Sequence, residues 1–148
     1  EICACLVGSE MCIRDRITSV IGVTERGGQP WYFLDEGLYG TFSGVLFDQW
    51  DFKLISFREG DEKVAATFAG PSCDSLDIMF RGRLTVPLQV GDLLLVPSCG
   101  AYTSASATTF NGFSKAKFVI WERVKAEVEP VAAVGRIEMN QSVAQAVK

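Results

Sequence analysis

The stretch RITSVIGVTERGGQPWYFL, residues 16–34, decides the fold class. Arg16–Thr24 alternates around Ile17, Val20 and Ile21, breaks at Gly27-Gly28, and is followed by the short aromatic run Trp31–Leu34. β-Branched and aromatic residues between glycine breaks predict strands. The pattern repeats along the chain. Phe42–Trp50, Lys53–Phe57, Val64–Ala69, Leu93–Val96 and Lys117–Trp121 are each apolar and short. Asp35-Glu36-Gly37, Glu59-Gly60-Asp61-Glu62, Gly70-Pro71, Val90-Gly91-Asp92 and Pro97 stand between them. Spacing of about ten residues with turn formers between elements predicts an all-β sandwich or barrel. No segment before residue 122 holds a sustained helical period; Ser72–Phe80 has room for one helical turn.

The composition bounds the function. The chain has 148 residues, 48% hydrophobic and 22% charged, which predicts a packed core. The formal net charge of −4 opposes binding to a phosphate backbone, so nucleic acid is not an expected partner. There is no histidine. That excludes a Ser-His-Asp or Cys-His device supplied by this chain, and any histidine-based zinc site. No run approaches the ~18–20 apolar residues of a membrane span. Glu1 and Glu10 stand where a secretory leader would be basic, so the expectation is a cytoplasmic protein without a membrane partner.

Residues 1–16 (EICACLVGSEMCIRDR) follow neither period. They hold Cys3, Cys5 and Cys12, three of the five cysteines, without a fourth ligand at metal-site spacing. Leu6–Arg16 resembles an adapter-derived peptide read as coding sequence. Residues 1–16 are therefore expected to be an artefactual leader, residues 17–122 the β-domain and residues 123–148 an extended tail. No metal site is expected.

Three clusters carry chemistry. In Gly70-Pro71-Ser72-Cys73-Asp74-Ser75-Leu76-Asp77, a Gly-Pro stop after an apolar strand presents a thiol and a carboxylate at an exposed turn. Read alone, these are better taken as a half-buried packing cysteine and a helix-capping aspartate, because lone cysteines are usually packing residues. Phe47-Asp48 closes an apolar run, where an aspartate is a turn former or the counter-ion of a cationic ligand. Gly100–Phe113 is rich in small and hydroxylated residues and includes Tyr102, Phe110, Asn111 and Phe113. It reads as a loop leading into a strand, and it is no nucleotide-type glycine loop. These residues by themselves specify a β-domain with a small-ligand surface, and no reaction.

Their order and spacing add more. Trp31–Gly40 (WYFLDEGLYG), Phe47-Asp48, Gly70–Asp77 (GPSCDSLD), Val90-Gly91-Asp92, Gly100-Ala101-Tyr102-Thr103 and Phe110-Asn111-Gly112-Phe113 together resemble the C-terminal β-domain of ornithine/lysine decarboxylases. These are pyridoxal 5'-phosphate (PLP) enzymes built like alanine racemase. The resemblance covers the chain except its first sixteen residues and its tail. It implies an all-β Greek-key sandwich or barrel for this domain, and a two-domain enzyme whose PLP-binding (β/α)8 barrel is absent here. It also implies a head-to-tail homodimer with shared active sites, a small diamino-acid substrate, and putrescine or cadaverine as product in polyamine synthesis. By position it makes Cys73 the catalytic proton donor to the substrate α-carbon. Asp48 and Asp74 would hold the distal ammonium, Phe47, Tyr39 and Phe110 would wall the pocket, with Asp74, Tyr39 and Phe110 reaching across the dimer interface, and Tyr102 would bind the cofactor phosphate.

Asp74 follows the ornithine/lysine pattern, where diaminopimelate decarboxylases resemble Gly-Pro-x-Cys-Glu. Phe47 and Gln49 depart from the family's Tyr and His, and Phe47 loses a hydroxyl in the pocket. The Schiff-base lysine of the family lies in the barrel. None of Lys53, Lys63, Lys115, Lys117, Lys125 or Lys148 stands in that context, so the chain alone is expected to be inactive. Diaminopimelate or arginine decarboxylation, and a non-catalytic decarboxylase-like regulator, are the alternatives.

Overall fold

The computed structural model describes residues 15–47, 51–99 and 101–117, with the side chains of Phe47, Ala101 and Tyr102 outside that description. Six strands are described: β1 (Arg16–Arg26), β2 (Gln29–Leu34), β3 (Ile55–Ser56), β4 (Val64–Ala69), β5 (Ile78–Thr85) and β6 (Leu93–Val96). They form one curled, half-barrel sheet in the order β3-β6-β1-β2-β4-β5. The protein is nearly all-β, as the strand pattern predicts.

β1 and β2 form an antiparallel hairpin across Gly27 and Gly28, both at positive φ (60° and 74°). Two consecutive positive φ values match the right-handed twist of the flanking strands and favour glycine. β6 and then β3 extend the sheet antiparallel on the other side of β1. β4 pairs with β2 in parallel, Trp31 opposite Thr67 and Phe33 opposite Ala69, and β5 closes the order antiparallel to β4. A parallel neighbour cannot be reached by a tight turn. The chain between β2 and β4 accordingly runs through a 3-10 helix, Ser43–Phe47, and through β3 at the far edge.

One face of the sheet supplies the core. Val20, Tyr32, Leu34, Phe68, Leu94 and Val96 are each no more than 2% exposed. Phe42 closes this core and meets Phe52 and Phe80 edge-on, with ring centroids 5.4 and 5.8 Å apart and planes at 87°. Edge-to-face packing suits the ring quadrupoles. The Tyr32 hydroxyl reaches the rim of the core and accepts the Leu88 N–H at 3.0 Å. Asp92 fixes the turn before β6. It accepts the Gln89 N–H (2.8 Å) and two N–H groups of Arg58 (2.7 and 3.2 Å). The Arg58 side chain, as its donor, is the main cause that holds the Asp92 carboxyl below its ordinary range.

Four local expectations change. Phe42–Phe47 is not a strand: Phe42 turns inward and a 3-10 helix follows it, so this apolar run plugs the end of the core. Only Ile55–Ser56 of the expected strand at 53–57 pairs. Residues 72–77 form bends and a turn without a helix, and Ile78–Thr85 is an unanticipated strand. Gly82 (φ 67°) and the flanking Arg81 and Arg83 interrupt its apolar alternation, which hides it from a period-2 reading. Helix α1 (Ala101–Ser106) and a 3-10 turn (Phe110–Gly112) stand where a plain loop is expected. The expected strand beyond Lys117 and the tail lie outside the described residues. Among the described residues, no helix is long and apolar enough to cross a membrane.

Candidate active site at the strand ends

The parallel pairing decides what meets what. β2 and β4 run the same way, so the segments that follow them, Asp35–Phe42 and Gly70–Asp77, leave the sheet at the same end. Tyr39 comes from the first segment, and Cys73 and Asp74 from the second. The Tyr39 hydroxyl donates to an Asp74 carboxylate oxygen. The 3-10 turn Phe110–Gly112 adds a third side: Phe110 stacks on Tyr39 with centroids 4.1 Å apart and planes at 26°. Thr108 fastens that segment by donating its N–H (2.8 Å) and its hydroxyl (3.1 Å) to the Tyr39 carbonyl.

Cys73 is exposed and unpaired with any cysteine, and its thiol donates to the Asn111 side-chain oxygen at 3.7 Å. Asn111 is in the left-handed region (φ 60°, ψ 16°), which Asn tolerates better than most residues. Asp74 accepts the Leu76 N–H at 2.9 Å on its other oxygen. That backbone donor first, and the Tyr39 hydroxyl second, hold the Asp74 carboxyl below its ordinary value. Donation to Asp74 in turn raises the Tyr39 hydroxyl above its own. At neutral pH the edge therefore carries an anionic carboxylate and a neutral phenol, with the Cys73 sulfur held beside them by Asn111.

A buried carboxylate underlies it. Asp77 is 2% exposed and accepts three hydrogen bonds: from Leu38 N–H (2.8 Å), Ser72 N–H (3.1 Å) and the Ser72 hydroxyl (2.6 Å). Sequence reasoning gives Asp77 and Asn111 no role. The signal for Asp77 lies in Gly37 and Gly70, since a Cβ on either would fall on its carboxylate.

Of the expected site residues, the structure brings together Tyr39, Cys73, Asp74 and Phe110. Asp48 lies outside the described residues. Phe47 ends the 3-10 helix and Tyr102 sits in α1, but their side chains also lie outside them. Among the described residues, no group of three or more His, Cys, Asp or Glu side chains is placed to hold a metal ion.

The sequence profile of a family described as "Pyridoxal-dependent decarboxylase, C-terminal sheet domain" matches residues 16–100. The chain belongs to this family. A lysine/ornithine decarboxylase of Selenomonas ruminantium is 51% identical over 106 residues, covering 72% of this chain and 27% of that protein. An ornithine decarboxylase of Caenorhabditis elegans is 43% identical over 86 residues, 57% of this chain and 20% of its own length. The chain thus spans about a quarter of the length of these curated relatives. Among solved structures, lysine/ornithine decarboxylase of Vibrio vulnificus complexed with cadaverine is similar. It has a TM-score of 0.68 and 43% identity, over 71% of this chain and 29% of that one.

The donor set suits a pyridoxal-dependent decarboxylase in a particular way. Tyr39, Cys73, Asp74, Phe110 and Asn111 include a proton donor, an anion and two rings, but neither a lysine nor a cationic group for a phosphate. These side chains suit the wall of a pocket rather than the anchoring of a cofactor.

Proposed function

We propose that this chain is the C-terminal part of a PLP-dependent decarboxylase that acts on L-ornithine or L-lysine and releases CO2 with putrescine or cadaverine, a step of polyamine synthesis. In this reading residues 17–122 are the β-domain, and residues 1–16 and 123–148 flank it. The observation that carries it is the Cys73-Asp74 turn, joined to Tyr39 and Phe110 at one end of the sheet. The names of the relatives support the substrate class.

PLP, when bound, would supply the electron sink that decarboxylation needs. The rest falls to the protein's side chains. In the net reaction the bond from the α-carbon to the carboxylate breaks and a C–H bond forms in its place. Cys73 delivers that proton from its thiol and regains one from solvent. Asp74, anionic at neutral pH, accepts the distal ammonium of a diamino acid. Its two donors leave lone pairs free for that contact, since a carboxylate accepts about four hydrogen bonds. Asp48, from the other subunit of the dimer, is the second carboxylate for the same cation. Two anions offset the ammonium's desolvation and disfavour a neutral amino acid. Phe47, Tyr39 and Phe110 would wall the pocket and exclude water, and Tyr102 would hold the cofactor phosphate. The side chains of this edge that face outward meet the PLP barrel of a second subunit in a homodimer with shared sites. The cytoplasm is the proposed compartment, and the chain alone, without the barrel lysine, is inactive.

The test is the complete enzyme that carries this domain, assayed on ornithine, lysine, arginine and diaminopimelate. Diamine production from ornithine or lysine is expected. Turnover of diaminopimelate with none on ornithine or lysine would overturn the reading of Asp74. For Cys73→Ala the expected result is slow CO2 release with less than one diamine per CO2, because the proton no longer arrives at the right carbon. Diamine formation at the parent rate removes Cys73 from its role.

A further inference from the structure

The buried carboxylate beneath the site has no part in the chemistry above. Yet it touches both segments that build the site. Its three acceptor contacts come from the Tyr39 segment (Leu38) and from the residue before Cys73 (Ser72). Its backbone closes the same loop: Gly70 N–H donates to the Asp77 carbonyl at 2.8 Å, and Asp77 N–H donates to the Asp74 carbonyl at 3.0 Å. Glycines at 37 and 70 leave the space in which the carboxylate sits. Among the described residues, the ion pairs join Arg16 to Glu36, Arg58 to Asp92 and Arg83 to Asp51, and none reaches Asp77. Its partners are instead N–H and O–H donors from two separate segments, an arrangement that ties those segments to one point.

We propose that Asp77 is a positioning residue: a buried acceptor that clamps the Tyr39 segment to the Cys73-Asp74 turn and so fixes where the proton-donating thiol and the ammonium-binding carboxylate stand. This deepens the decarboxylase reading and rests on it, because it assigns Asp77 to the same reaction through Cys73 and Asp74. Two acceptor oxygens are required. An amide of the same shape has one acceptor oxygen and turns its NH2 group against donors that now have no acceptor.

The test has two arms. In the full chain, Asp77→Asn is compared with Asp35→Asn. Asp35 likewise accepts from Thr18 and Ser19, but it ties β1 to the end of β2. Hydrogen exchange at Leu38 and Ser72, and alkylation of Cys73 by iodoacetamide, are followed by mass spectrometry. Asp77→Asn should speed exchange at these amides about 10-fold or more and alkylation about 3-fold or more, with Asp35→Asn at parent rates. Parent rates in folded Asp77→Asn, or equal acceleration in both variants, overturn the proposal. Should Asp77→Asn not fold, Ser72→Ala, which removes one donor and keeps the acceptor, takes its place. Faster alkylation supports the clamp, and an unchanged rate overturns it.

In the complete enzyme, Asp77→Asn should lower kcat and raise the ratio of CO2 to diamine above one. A ratio that stays at one overturns the proposal. If the unsubstituted complete enzyme releases no CO2 from ornithine or lysine, the decarboxylase reading fails, while the exchange and alkylation results still decide whether Asp77 clamps the turn.

Discussion

Tyr39 and Asp74 form a pair whose titrations pull apart. Asp74 lies below its ordinary value near 3.8, so its contribution is present above that pH and is lost as acid protonates it at still lower pH. Tyr39 lies above its ordinary value near 10, so its donated hydrogen bond is kept through pH 10 and is lost only in stronger alkali. The pair is therefore intact across the whole window between the two. Absorbance at 295 nm against pH checks this. Tyr39 should ionise later than an unperturbed tyrosine, and Asp74→Asn should bring it back towards 10. An unshifted Tyr39 would deny the pair in solution. This pairing is only half legible in the sequence. Cys73 and Asp74 stand in a recognisable motif, but nothing in the spacing of residues 39 and 74 says that they touch. Their meeting depends on the parallel register of β2 and β4, and a parallel neighbour is a long-range choice.

At the scale of elements, β4 and β6 are read correctly to the residue because their apolar runs are bounded by Gly70-Pro71, Asp92 and Pro97. β5 is missed because its alternation is broken by Gly82 and two arginines. The run at 42–47 is misassigned, because apolar composition alone does not distinguish a paired strand from a plug. Phe42 shows which it is. Completely buried against Phe52 and Phe80, it belongs to the core, and Phe42→Ala should cost about 3–5 kcal/mol in urea unfolding. The turn before β6 has a smaller stake. Asp92→Ala removes the acceptor of the Gln89 N–H, a loss of about 1 kcal/mol, and leaves Arg58 to water. An unchanged midpoint would mean that water replaces these contacts without loss.

At the scale of the molecule, the outer side of the sheet is apolar as well. Ile17 (54% exposed), Leu93 (45%) and Ile55 (36%) lie on β1, β6 and β3, with Ile17 and Ile55 both opposite Leu95. Leu84 on β5 is 73% exposed. Exposed apolar rows of this kind favour association. The chain by itself should associate as its concentration rises, in light scattering after size exclusion, and Ile17→Thr with Leu93→Thr should lessen it. A monomer at all concentrations would show that the rows are too scattered to matter. Sequence composition anticipates an apolar protein, but which side of each strand faces outward follows from the registers.

The hairpin at Gly27-Gly28 lies at the end of β2 away from Tyr39, Cys73 and Asp74. Both glycines open onto free space, with nothing within 4 Å of where a Cβ would stand. The positive φ values keep glycine at both positions, so the exposed neighbour Gln29 is the natural attachment point for a fluorophore or an affinity label: a probe there reports on the domain while the edge that carries Cys73 and Asp74 stays bare.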